Sequence, residues 1–211
     1  MVTVLVGFNE FGPIAVNPAR LVVEELARRR NGMREDFISE VLSTEYLVAG
    51  KRIEGLIHER RPQVVIIVGV AAGREAINLE RIALNVDDAD LPDNAGDRRN
   101  GSPNVSHGPL ARESTLPLKE LQRVLQEHQI PVVISNYAGT FICNHVHYRA
   151  LHSLAEAGSG AMCGLIHIPL MSELLKPDAP PRPTLPRARI VEAVEICLDE
   201  CERMCGRIRH V

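Results

Sequence analysis

The chain has 211 residues, 45% hydrophobic and 24% charged, with a net charge of -3 at neutral pH. That length suits one sizeable core rather than two, and the charge balance excludes a basic surface built for nucleic acid. No apolar run approaches the ~20 residues that span a bilayer.

The start, MVTVLVGFNE, lacks the charged region and small-residue cleavage site of a signal peptide. It reads as a first strand over 3–6, followed by a loop over 7–17, with Pro18 placed to open a helix. That helix carries Leu21, Val22 and Leu26 and closes on Arg28, Arg29 and Arg30, cations that suit a helix C-terminus. A second strand is expected over 36–43 and a helix over 45–60, where Leu47, Ile53, Leu56 and Ile57 are apolar. Val64 to Val68 is an unbroken apolar run, as in a strand covered on both faces, and 69–73 turns the chain. Residues 80–93 are harder to assign, although Ile82, Leu84 and Val86 alternate as in a strand. Residues 95–114, rich in Gly, Asn, Arg, Ser and Pro, read as a mobile surface loop. A helix over 115–129 precedes a short β-branched strand at Val132, Val133 and Ile134. Residues 162–169 form another apolar strand, broken only by His167. Residues 176–187, with five prolines, read as an extended connection, and 189–208 as the last helix. Strands alternating with helices predict a single-domain α/β fold over 1–211, a mostly parallel sheet with helices on both faces. Ligands gather outside the carboxyl ends of such strands. The segments 7–17, 69–80 and 135–143 and His167 are therefore expected on one rim.

Five cysteines are an odd count and read as reduced thiols, which with the missing leader makes the cytoplasm the expected compartment. Cys197, Cys201 and Cys205 continue an apolar stripe with Ile190 and Val194, so buried thiols fit better than metal ligands. Cys143 differs. Ser135, Asn136 and Gly139 end a buried strand and turn the chain, and helical spacing begins near Thr140. A thiol in that first turn feels unpaired N–H groups and the positive end of the helix dipole, which favour thiolate. Cys143 is therefore the candidate nucleophile. Two histidines compete as its base: His147, four residues on along the same helix face, and His167, near the carboxyl end of an apolar strand. His145, two residues from the thiol, should point elsewhere. Three of the four Phe, Phe8, Phe11 and Phe141, fall on the expected rim and suggest an apolar slot for a small flat ring.

The stretch SNYAGTFICNHVHY resembles the nucleophile motif of the pyroglutamyl peptidase I (pyrrolidone-carboxylate peptidase) family, cysteine peptidases that remove an N-terminal pyroglutamate. GLIHIP resembles the segment carrying that family's catalytic His, which selects His167 over His147. GREAINLERIALN resembles the block whose Glu orients that His, which implies Glu80 as third member; Glu75 falls outside the match. VGFNEFGPIAVNPA resembles the start whose two Phe hold the lactam, here Phe8 and Phe11, and Asn17 matches the family's Asn. The resemblance also implies backbone contacts to the lactam near Val70 and Leu91. It implies a hydrolase, a thiol protease acting as an omega-peptidase on N-terminally pyroglutamylated peptides. No metal or organic cofactor is required, no nucleic acid or membrane is engaged, and a cytoplasmic homotetramer is expected.

Four positions depart from the family pattern. Glu10 replaces a Pro, Pro13 a Gly and Val70 a Gln. Asp90 stands where an Arg that helps stabilise the oxyanion is usual. Helix-start amides, or Arg74 or Arg81, are the expected replacements. Two other readings follow: a pyroglutamate-binding homologue with low activity because of Asp90, or a phosphorylase-like or nucleotide-binding α/β enzyme. Against the latter, Gly7-x4-Gly12 is not the dinucleotide fingerprint and no G-K-S/T phosphate loop exists.

Overall fold

The computed structural model describes residues 1–12, 15–30, 36–176 and 180–208. Its first half comprises β1 (Thr3–Phe8), α1 (Pro18–Arg30), β2 (Phe37–Leu42), α2 (Tyr46–Arg60), β3 (Val64–Val70), β4 (Ile77–Glu80) and β5 (Ile82–Leu84). Then follow β6 (Ala111–Glu113), α3 (Leu118–Glu127), β7 (Val132–Ser135), α4 (Ile142–Glu156), β8 (Met162–Ile168), β9 (Leu170–Met171), β10 (Thr184–Leu185) and α5 (Arg187–Ile208). The central sheet has the order β2-β1-β3-β8-β4-β7. Every pairing in it is parallel except β4 with β8.

Alternation along the strands divides the core into two layers. Val4, Val6, Val65, Ile67, Cys163 and Leu165 face α2 and α4 on one side. Leu5, Val64, Ile66, Val68 and Ile166 face α1, α3 and α5 on the other. Because β1, β3 and β8 are covered on both faces, their sequences are near-continuous apolar runs. The stripe on α5 is part of this packing, with Cys197 and Cys201 fully buried. No helix among the described residues is long and apolar enough to cross a membrane.

The fold departs from the sequence expectations in several places. β3 runs on through Gly69 and Val70 instead of turning at Gly69. β4 was not foreseen: only four residues long, it ends on a glutamate that looks solvated in isolation. Since β4 and β7 run against β8, the ends of these two strands point away from the rim formed by β3 and β8. Residues 135–143 do not simply share that rim; they travel back across the sheet edge to reach it. The polar stretch 95–114 is held down rather than loose. Asp87 bridges to Ser102, and Asp93, Asn104 and Ser114 are buried. Of the proline-rich connection, residues 177–179 lie outside the described residues, as does Pro13; Thr184–Leu185 pairs in parallel with Leu170–Met171.

Candidate active site

Three strands and one helix position the site. Gly69 of β3 is the register partner of His167 on β8, and His167 is in turn opposite Asn78 of β4. Partners project to the same face, so Gly69, His167, Asn78 and, two residues on, Glu80 all face the α2/α4 side. Glu80 sits one diagonal step from His167, within reach of a long side chain. Its Oε1 lies 2.8 Å from His167 Nδ1. Both groups are buried, Glu80 completely.

The thiol comes from above. Gly139, at φ 80°, turns the chain in a conformation that favours glycine. Phe141 is extended, and α4 opens with Ile142, so Cys143 is its second residue. The first intrahelical hydrogen bond runs from His145 N–H to the Phe141 carbonyl. The N–H groups of Ile142, Cys143 and Asn144 precede it and remain as donors at the positive end of the helix. A Cβ placed on Gly69 would lie 2.8 Å from Cys143 Sγ and 3.0 Å from His167 Nε2. The missing side chain is what lets sulfur and imidazole share that space.

Burial opposes charge on His167, but hydrogen bonds to Cys143 and Glu80 outweigh it and push the imidazole pKa up to about 9. Burial would also raise the Glu80 carboxyl. The hydrogen bond and charge of His167, with Ser135 and Arg74 beyond, instead hold it below its ordinary range. His147, fully buried, is pushed down to about 3 by desolvation, so it stays neutral, and neither of its ring nitrogens has a hydrogen-bond partner among the described residues. Burial drives the Cys197 thiol up to about 12 and raises Cys163 and Cys201 as well, which makes them poor nucleophiles.

Around this line, Phe11 and Phe141 stand 5.9 Å apart at 46°. Phe8, expected on the slot surface, is only 2% exposed. It ends β1 in the same inward register as Val4 and Val6, in the core layer against which Phe141 packs. Asn17 is 1% exposed. Its Oδ1 accepts the Ala19 N–H and its Nδ2 donates to the Asn9 carbonyl, so it caps α1 and ties down the first loop. Val70 ends β3 on the rim, whereas Asp90 and Leu91 are exposed on the stretch after β5. Arg74 is spent on Asn78, Ser135, the Tyr137 carbonyl and Glu80. Arg81 follows β4 and lines a groove with Glu113, Leu116 and Lys119.

Gly69 is the functional position that sequence reasoning missed. Its signal was legible, since a glycine inside a buried apolar strand marks a close approach. Asn144 was missed too. Its amide accepts from the Leu84 N–H and donates to the Leu84 and Val86 carbonyls, sewing the first turn of α4 to β5.

The sequence model of the pyroglutamyl peptidase family matches residues 1–203. A pyrrolidone-carboxylate peptidase from Bacillus cytotoxicus is 36% identical over 212 aligned positions, covering 98% of each chain. One from Bacillus mycoides is 35% identical with the same coverage. A mutant pyrrolidone carboxyl peptidase of Pyrococcus furiosus superposes with a TM-score of 0.91 at 33% identity, covering 97% of this chain and 99% of its own.

Two outcomes follow from the geometry, both read by alkylation of Cys143 with iodoacetamide. Gly69→Ala should part sulfur and imidazole and slow alkylation at pH 7 by at least about tenfold, since displacements near 1 Å cost on the order of a hundredfold in positioned reactions. Circular dichroism should remain parental. Glu80→Gln removes the charge that favours imidazolium, so the His167 pKa falls and the thiolate loses its counter-ion. Alkylation at pH 7 should therefore slow, because the imidazolium partner of the sulfur is less populated.

Proposed function

The chain belongs to the pyroglutamyl peptidase family, and we propose that it hydrolyses the bond after an N-terminal pyroglutamyl residue as a cysteine peptidase, with all of residues 1–211 as one catalytic domain. The observation that carries this reading is the unbroken line Cys143–His167–Glu80, seated over Gly69 beside the Phe11–Phe141 pair.

The Cys143 thiolate, paired with the His167 imidazolium, attacks the pyroglutamyl carbonyl and forms a C–S bond. The N–H groups that open α4 receive the developing oxyanion. As the tetrahedral intermediate collapses, the C–N bond breaks and His167 gives its proton to the departing amine. His167 then takes a proton from water, whose oxygen attacks the thioester. The C–S bond breaks, L-pyroglutamate leaves and the thiolate returns. Glu80 fixes the ring with its Nδ1–H inward and stabilises its charged form, the part that Asp plays in a serine triad. Phe11 and Phe141 hold the flat lactam, with Phe8 in the core layer against which Phe141 packs, and backbone groups near Val70 and Leu91 meet its polar edge. Cys143, Cys163, Cys197 and Cys201 are free thiols, which fits the reducing cytoplasm. By analogy with the resemblance, the chain assembles as a homo-oligomer, a tetramer. The binding-only reading rests on Asp90 alone, and the phosphorylase-like reading leaves the Cys143–His167–Glu80 line without a role.

Release of chromophore from a pyroglutamyl amide should be measurable, blocked by iodoacetamide, and lost in Cys143→Ala and His167→Ala. Near-parental rates in either variant would sink the assignment. Asp90→Arg should raise kcat, by up to about a hundredfold, because one oxyanion donor is worth about 3 kcal/mol. A fall would show that the loop is built around the acid.

A further inference from the structure

A second histidine–carboxylate pair lies behind the aromatic slot and outside the thiol chemistry. Asp87, fully buried, faces His145, 2% exposed, with His145 Nδ1 donating to Asp87 Oδ2 over 2.8 Å. The same carboxylate accepts from Arg99 Nη1 at 2.7 Å and from Asn104 Nδ2 at 3.1 Å. These partners do not end at a surface. Tyr46, fully buried, has His145 edge-on at 5.2 Å and the Arg99 guanidinium over its ring at 4.2 Å. Tyr46 in turn meets Phe141 edge-on at 5.7 Å, and Phe141 is the ring that faces Phe11. A continuous stack therefore runs from a buried ionic cluster to the wall of the slot.

We propose that Asp87 and His145 are positioning residues for recognition of the acyl ring: held with Arg99 against Tyr46, they fix how far Phe141 stands from Phe11. This rests on the reading that the slot takes a pyroglutamyl lactam. The physical reason is rigidity. A buried ion pair keeps its full strength only in one geometry, because any displacement leaves a charge unpaired in a dry interior. Tyr46, held between His145 and Arg99, cannot rotate independently of it, and Phe141 packs on the edge of that fixed ring. The surrounding backbone reinforces the arrangement. Asp87 exchanges hydrogen bonds with Ser102, and Asp88 N–H donates to the Thr140 carbonyl, just before Phe141. The first N–H of α2, that of Tyr46, donates to the buried Asp93 carboxylate at 2.9 Å. The polar stretch after β5 thus acts as the back of the slot.

The test compares parental protein with His145→Leu, which removes both donor and ring, His145→Asn, whose amide keeps a donor near the position of Nδ1, and Tyr46→Leu. KM and kcat for a pyroglutamyl amide are measured beside the iodoacetamide rate of the free enzyme. KM should rise at least about tenfold in His145→Leu and Tyr46→Leu, with alkylation within about twofold of parental, and His145→Asn should recover most of the loss. A purely structural role would shrink the folded fraction, lowering apparent kcat and leaving KM unmoved. Parental KM in folded Tyr46→Leu or His145→Leu would overturn the proposal, as would kcat and alkylation falling together. If the parental protein does not turn over the pyroglutamyl amide, it is the proposed function that fails instead.

Discussion

The structure depends on one close approach: a sulfur and an imidazole occupying the space that a side chain at position 69 would fill. Everything around it serves to make that crowding tolerable. The imidazole is buried, so its charge is costly, and the hydrogen bonds to Cys143 and to the completely buried Glu80 carboxylate at 2.8 Å make the imidazolium the favoured form. That carboxylate is itself expensive to bury unless it is paired. The guanidinium of Arg74 approaches the same oxygen, Glu80 Oε1, at 3.7 Å and is anchored by Asn78, Ser135 and the Tyr137 carbonyl. Charge therefore alternates from imidazolium to carboxylate to guanidinium, and each member lowers the cost of burying its neighbour.

The mixed sheet is what makes this alternation possible. In an all-parallel sheet, the residue beside His167 on a following strand would sit at a carboxyl end, exposed on the rim. Reversing β4 puts its far end deep beside β8, where Glu80 is opposite Leu165. The carboxylate can then approach the ring from inside the protein while the thiol approaches from the helix above. Burial on one side and access on the other follow from strand direction.

Much of this was legible in the chain and some was not, for identifiable reasons. The apolar runs of β1, β3 and β8 announced themselves because both faces are covered. Cys143 stood out because a strand, a glycine turn and a helix start follow one another within a dozen residues. His167 stood out as the polar interruption of an apolar strand. The orientation of β4 left no trace, since four residues carry no periodicity that tells parallel from antiparallel. Glu80 looked solvated for the same reason: its burial comes from a neighbour 85 or more residues away in sequence. The stretch 95–114 looked mobile because polar composition is the usual mark of a loose loop, whereas here its polar groups are spent on one another and on Asp87 and Asp93.

The first turn of α4 explains why chemistry and recognition are joined. Consecutive residues of an α-helix point about 100° apart, so Cys143, Asn144 and His145 sweep more than half the circumference. The first reaches the rim of the sheet, the second is sewn to the backbone of β5, and the third meets the Asp87 cluster. Three consecutive side chains thereby anchor one turn in three directions. A helix start held in this way cannot tilt toward the slot without straining the bonds to β5, nor slide along β5 without moving the sulfur. The sulfur is placed chiefly by the Asn144 bonds to β5, and Phe141, two residues earlier, by the ring contacts that lead back to Asp87. One helix start therefore carries both placements, and each has its own anchor.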